Sequence, residues 1–182
     1  MAVPQPPPRP PMPALAALLS YLVPGLGQIC QGRVAKGVLF LVCIYALFFY
    51  GMYLGHWSNV YLPDVVEPGM TPPVPRPLWN CYNRLQFGGQ VWIGVAAWPA
   101  LLQYAQYNPR DNGPAFLHGF QRSPDEKTLN KFQIEGDKTW DLGWVFTVIA
   151  GVLNVLVMYD AFAGPAFGDN DTKPKPSEEV TP

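Results

Sequence analysis

The charged residues leave four uncharged stretches along this chain, 10–32, 37–63, 85–109 and 142–159, while residues 110–141 alone hold eleven of the 25 charges. A chain alternates in this way when it passes repeatedly between hydrocarbon and water. Crossing a hydrocarbon core about 30 Å thick takes about 20 mainly apolar helical residues at about 1.5 Å each. Four segments approach that length: 14–30, 37–55, 88–107 and 143–162. The second is unbroken, whereas the first contains Pro24-Gly25 and Gly27, the third contains Pro99, and the fourth contains Asn154 and Asp160. Helices of a soluble bundle keep a charged outer face, and these segments have none. The pattern predicts an all-α membrane protein with four transmembrane helices, an N-terminal helical hairpin plus two further spans, forming one membrane domain over 14–165. A re-entrant or tilted insertion at Pro24-Gly25 is the competing reading of the first segment. A cleaved signal peptide is disfavoured, because a Pro-rich leader precedes the run and no small-x-small cleavage site follows it.

The remaining pieces read as water-exposed. Residues 1–13 carry seven prolines and favour an extended, disordered tail, and residues 166–182 form a second disordered polar tail. The 56–87 connection holds six prolines, which argue against regular structure, together with Trp57, Tyr61, Trp79 and Tyr82, whose rings favour the headgroup zone. In the 108–142 connection, Ser123-Pro124-Asp125-Glu126 has the spacing of a capping box, predicting a short helix over about 124–135 that stops at Gly136.

Composition sharpens this picture. Of 182 residues, 49% are hydrophobic and only 14% charged, about half the charged share of an ordinary soluble domain. The net charge of −1 excludes an electrostatic nucleic-acid footprint. Lysine and arginine are retained on the cytoplasmic side of a membrane. With four spans, Arg33, Lys36, Arg110, Arg122, Lys127, Lys131 and Lys138 share one side against Arg9, Arg76, Arg84, Lys173 and Lys175 on the other, which favours both termini outside the cytoplasm.

The most distinctive local pattern is Pro24-Gly25-Leu26-Gly27-Gln28 followed by Gly32-Arg33 and Lys36-Gly37. Glycines let helix backbones approach closely in lipid, Gln28 is able to bridge helices, and Arg33 and Lys36 give the turn a positive tip. Over 20–55 these residues resemble the two-transmembrane-helix domain found widely in bacteria and animals. Gln90-Val91-Trp92-Ile93-Gly94, Pro99-Ala100-Leu101 and the run 147–165 resemble an uncharacterised bacterial multi-pass family, so that the two resemblances span most of 14–165. They imply an integral membrane protein of the bacterial cytoplasmic membrane and carry over no catalytic residue. Cys30 stands where the hairpin family often has an aromatic residue, and the acidic turn of some members is absent, so no signalling role transfers.

Candidate chemistry is sparse. A lipid-facing carboxylate near the bilayer centre costs about 2.5–3.5 kcal/mol, so Asp160 needs a partner, and Arg84, before the third span, is the expected one. Asn154 reads as a helix-to-helix contact; it lies about 240° around the helix from Asp160, so the two do not share a face. An ion or proton relay through Asp160 lacks a second intramembrane acid. His56 and His118 fall in different connections on opposite predicted sides, and Cys30, Cys43 and Cys81 have no paired spacing, so neither a metal site nor a cofactor site nor a disulfide framework is expected. Cys30 and Cys43 read as buried small apolar groups. No catalytic grouping is visible, so the expected role is a noncatalytic membrane scaffold or assembly module whose partners are the lipid bilayer, other membrane proteins or itself. The alternative is a small transporter or channel subunit working as an oligomer, which would gather Gln28, Gln90, Gln103 and Asn154 around one hydrated cavity.

Overall fold

The computed structural model describes residues 12–63, 69–106, 116–134 and 138–164, so both expected tails lie almost wholly outside the described residues. Every element among them is helical: α1 Pro13–Leu22, α2 Leu26–Cys30, α3 Val34–Leu54, α4 Arg76–Asn83, α5 Leu85–Gln90, a 3-10 segment Val91–Ala97, α6 Trp98–Gln106, a 3-10 turn Phe116–Gly119, α7 Glu126–Ile134 and α8 Thr139–Ala163.

Two helices are long and apolar enough to cross a membrane, α3 with 21 residues and α8 with 25. They are antiparallel, with the Gly51 and Gly143 backbones in contact at one end and Lys36 against Asp160 at the other. A Cβ built on Gly143 would lie 2.6 Å from the Gly51 carbonyl oxygen, so small residues set this approach, as expected where packing drives association. The core helix of a soluble protein is mostly buried, yet only 28% of the apolar window of α3 and 39% of that of α8 is buried. Leu39, Val42, Tyr53, Val152, Leu156 and Phe162 all face outward.

The expected spans 14–30 and 88–107 are not continuous helices. The first breaks at Val23-Pro24-Gly25, where Gly25 takes φ +84°, and α2 folds back so that the Gly27 amide donates to Ser20 Oγ at 3.2 Å. At 10 and 5 residues, α1 and α2 reach about 15 and 7.5 Å, each short of a bilayer. The second breaks at Gly94, with φ +78° and ψ −133°, where a Cβ would lie 1.8 Å from the Tyr21 carbonyl oxygen. Its flanks meet again: the Asn80 amide of α4 donates to the Tyr104 hydroxyl of α6 at 2.8 Å. Between them the chain reaches along α8 as far as Asn154, whose amide donates to the Trp92 carbonyl at 2.8 Å. This segment therefore enters and leaves at the same end of the α3–α8 pair. Phe48, Met52, Phe87, Ile93 and Ala97 form the core that it shares with the pair.

The connections hold more order than their prolines suggest. Proline is accommodated in the first turn of α4, at Pro77, because that position needs no amide donor. Helix α7 begins at Glu126, two residues later than expected, because Asp125 rather than Ser123 caps it: the Thr128 hydroxyl bonds the Asp125 carboxylate, and the Leu129 amide donates to the Asp125 carbonyl at 3.0 Å. Phe132 of α7 stacks on His56 at 5.3 Å and Trp140 at 6.0 Å, so the helix packs on the loops at the start of α8.

Candidate functional site

Because the 85–106 segment returns to its own end, the molecule has two polar ends, at opposite ends of α8. At the hairpin end, the Pro24-Gly25 turn brings Gln28 against the last turns of α8, and Gly25 fits because a Cβ there would lie 2.0 Å from the Gly37 carbonyl oxygen. Gln28 is fully buried; its Nε2 donates to the Val157 carbonyl at 2.8 Å and to Asp160 Oδ2 at 3.2 Å, and its Oε1 accepts from Ser20 Oγ at 3.0 Å. Asp160 also receives Arg33 Nη2 at 2.8 Å and Lys36 Nζ at 2.6 Å. Gln31 donates to the Ala161 carbonyl at 2.7 Å, satisfying an acceptor in the last turn of α8.

The electrostatics explain the pairing. A carboxylate near a helix C-terminus and cations at a helix N-terminus both sit at the wrong end of the macrodipole. The antiparallel α3 and α8 place these unfavourable charges together, and each relieves the other. Two cations on one carboxylate leave the cluster with one net positive charge.

Deeper along α8, the second buried amide continues the network. Asn154 Nδ2 donates to the Ser20 carbonyl at 3.1 Å, so Ser20 joins Asn154 to Gln28 and hence to Asp160, two residues that lie on different faces of their own helix. A third layer is Gln90, whose Nε2 donates to Thr147 Oγ1 at 2.7 Å and to the Asn59 carbonyl at 3.2 Å. Gln121 closes the re-entrant segment, accepting from the Ala100 amide at 3.0 Å and donating to the Ala96 carbonyl at 2.7 Å.

Arg84 does not pair with Asp160. Trp144, its neighbour on α8, is 16 residues from Asp160, about 24 Å along the axis. Its guanidinium carbon instead lies 3.6 Å from the Tyr61 ring centroid and 4.5 Å from that of Trp144. Burial lowers the Arg84 pKa from its ordinary value, partly offset by Tyr61, and burial raises that of Tyr61. The aromatic run continues from Tyr61 through Trp144, Trp140 and Phe132 to His56. A cavity of about 750 Å³ opens beside Arg84.

Three further expectations are corrected. His56 and His118 lie in connections at the same end, since the described part of the segment between them turns back on itself, and no metal-holding group of three ligands occurs among the described residues. Cys30 and Cys43 are exposed on the outer surface rather than buried, and Cys81 is intermediate. Arg33 and Lys36 stand at the end opposite the 116–138 connection instead of sharing its side. Ser20, Asn59, Thr147 and Gln121 escaped the sequence reading; the signal for Ser20 and Thr147 was a lone hydroxyl inside an apolar stretch, and the loop residues carried none.

Fold and site together define an all-helical protein with two helices fit to cross a membrane, braced by buried amides and a carboxylate held between two cations. The chain belongs to a family of unknown function, DUF6677, whose family model matches residues 15–174. No curated protein and no solved structure matches it.

Proposed function

We propose that this protein is a multi-pass integral membrane scaffold, a noncatalytic module that holds lipids or other membrane helices against a rigid α3–α8 frame. The observation that carries the reading is where the interior amides go. The side-chain nitrogens of Gln28, Gln90, Gln103 and Asn154, which a conduction path would turn toward water, donate to neighbouring protein groups, the carbonyl oxygens of Gln90 and Asn154 are buried away from solvent, and none of the four residues lines the cavity beside Arg84. The outward apolar faces of α3 and α8 support the membrane setting, and the bacterial-family resemblance supports the cytoplasmic membrane of a bacterium. Among the described residues, Arg76, Arg84, Arg122, Lys127, Lys131 and Lys138 belong to connections at the start of α8, against Arg33 and Lys36 at its far end. Positive charge is retained inside, so this reading puts the start of α8 at the cytoplasmic face and its C-terminal end outside.

The test is reconstitution of the full chain into liposomes loaded with ion-sensitive and pH-sensitive dyes. A scaffold leaves the leak at the level of protein-free vesicles. A flux above that level that disappears in Gln90→Leu would overturn the reading in favour of an oligomeric channel or transporter. Recovery of the chain from a detergent-free supernatant would overturn the membrane setting itself.

A further inference from the structure

We infer that the cavity beside Arg84 is a binding site for the phosphate group of an anionic phospholipid, with the acyl chain lying along the outward face of α8; the inference rests on the membrane reading above. Arg84 forms no ion pair with a carboxylate among the described residues, and its buried Nε has no hydrogen-bond partner. The guanidinium carbon lies over the Tyr61 ring and close to that of Trp144, and Tyr61 engages part of the group, so the buried Nε–H is the donor left to take an anion. A second orphan donor belongs to the same cavity: the indole Nε1 of Trp140, buried and without an acceptor. Leaving buried donors unmade costs about 1–3 kcal/mol each, so two of them beside one cavity call for a ligand rich in acceptors.

The opposite wall identifies which acceptor-rich ligand. Val145, Val148 and Ile149 line it, and Val145 and Ile149 begin an exposed apolar stripe that continues through Val152 and Leu156 at helical spacing. A soluble phosphate has no use for that stripe, whereas a phospholipid has both parts. The site also stands among the tryptophans at the start of α8, in the zone where such rings meet headgroups. Asp141 is the acidic residue of the lining; it is exposed, where water screens it, and lies beyond ion-pair distance of Arg84. At about 750 Å³, the cavity is of the size that holds a small ligand or headgroup.

Native mass spectrometry of the full chain in detergent, offered equimolar phosphatidylglycerol and phosphatidylcholine, tests this. The expected result is selective retention of phosphatidylglycerol, reduced about fivefold in Arg84→Gln. Should Arg84→Gln fail to fold, Trp140→Phe keeps an aromatic side chain and removes the N–H, and it is expected to lower the ratio of phosphatidylglycerol to phosphatidylcholine retained by the folded protein. Equal retention of both lipids by the wild type, or no loss in either variant, would overturn the site while leaving the membrane reading intact. Glycerol 1-phosphate alone displacing the lipid at equal concentration would overturn it in favour of a soluble phosphate ligand. A chain that needs no detergent and retains neither lipid would overturn both readings together.

Discussion

Arg33 Nη2 lies 2.8 Å from Asp160 Oδ2, although the residues are 127 positions apart, and this contact ties the turn before α3 to the last turn of α8. Asp160 is 23% exposed and Arg33 19%, so the pair falls between the surface and buried limits. Asp160→Asn is expected to cost about 1–3 kcal/mol, read as a lower midpoint of thermal unfolding in detergent. Arg33→Gln should cost less, because Lys36 remains 2.6 Å from the carboxylate. The double variant should lose less than the sum of the two by about 1 kcal/mol; strict additivity would mean that the contact contributes nothing.

Helix approach provides a second test. A Cβ at Gly143 meets the Gly51 carbonyl oxygen and the Gly55 nitrogen at 2.6 Å, so Gly143→Ala pushes α3 and α8 apart and should cost about 1–3 kcal/mol. Gly88 provides the contrast, for it lies inside α5 with nothing within 4 Å of an added Cβ. Gly88→Ala should stabilise by about 0.5–1 kcal/mol. If the two alanines shift the unfolding midpoint in the same direction, the close-packed interface is misassigned.

The path of the 85–106 segment is open to thiol labelling. With Cys30, Cys43 and Cys81 replaced by alanine, Leu85→Cys and Gln106→Cys are expected to react with an impermeant maleimide from the same side of sealed vesicles. Labelling from opposite sides would restore a third crossing.

Asn154 bridges two carbonyls from two other elements, Ser20 and Trp92. Asn154→Leu leaves both acceptors unpaired and should lower stability by about 0.6 kcal/mol, and by no more than about 1.7, if these bonds behave as interhelical hydrogen bonds in lipid do. An unchanged midpoint would show that the amide is not a brace.

The cap of α7 gives a pH dependence. The Thr128 hydroxyl holds the carboxyl of Asp125 below the ordinary carboxylate range. A depressed folded pKa stabilises fully above the unfolded value of about 3.9 and is lost as pH falls through the folded one. Hydrogen exchange in residues 126–134 should therefore stay flat from neutral pH down to about 4, after correction for the intrinsic rate, and rise only below it. In Asp125→Ala the protection should already be reduced at neutral pH.

Much of this architecture was legible in particular residues. The long apolar runs around 37–55 and 143–162 become α3 and α8 because each residue's apolar preference adds along a helix, and no partner is needed to express it. Pro24-Gly25 marked a break, and Gln28, Arg33 and Lys36 marked a polar turn, since a proline's missing amide and a charge's solvation are local properties. Hydropathy does not distinguish a helix that crosses from one that turns back at Gly94, because both bury the same side chains. That difference lies in one backbone conformation, packed against the Tyr21 and Leu22 carbonyls. It also decides everything downstream, since one segment that turns back moves every later residue to the other end of the α3–α8 pair. Arg84 thus meets Tyr61 and Trp144 while Asp160 meets Arg33 and Lys36: the chain determined which groups require partners, and only the tertiary path decided which of them are within reach.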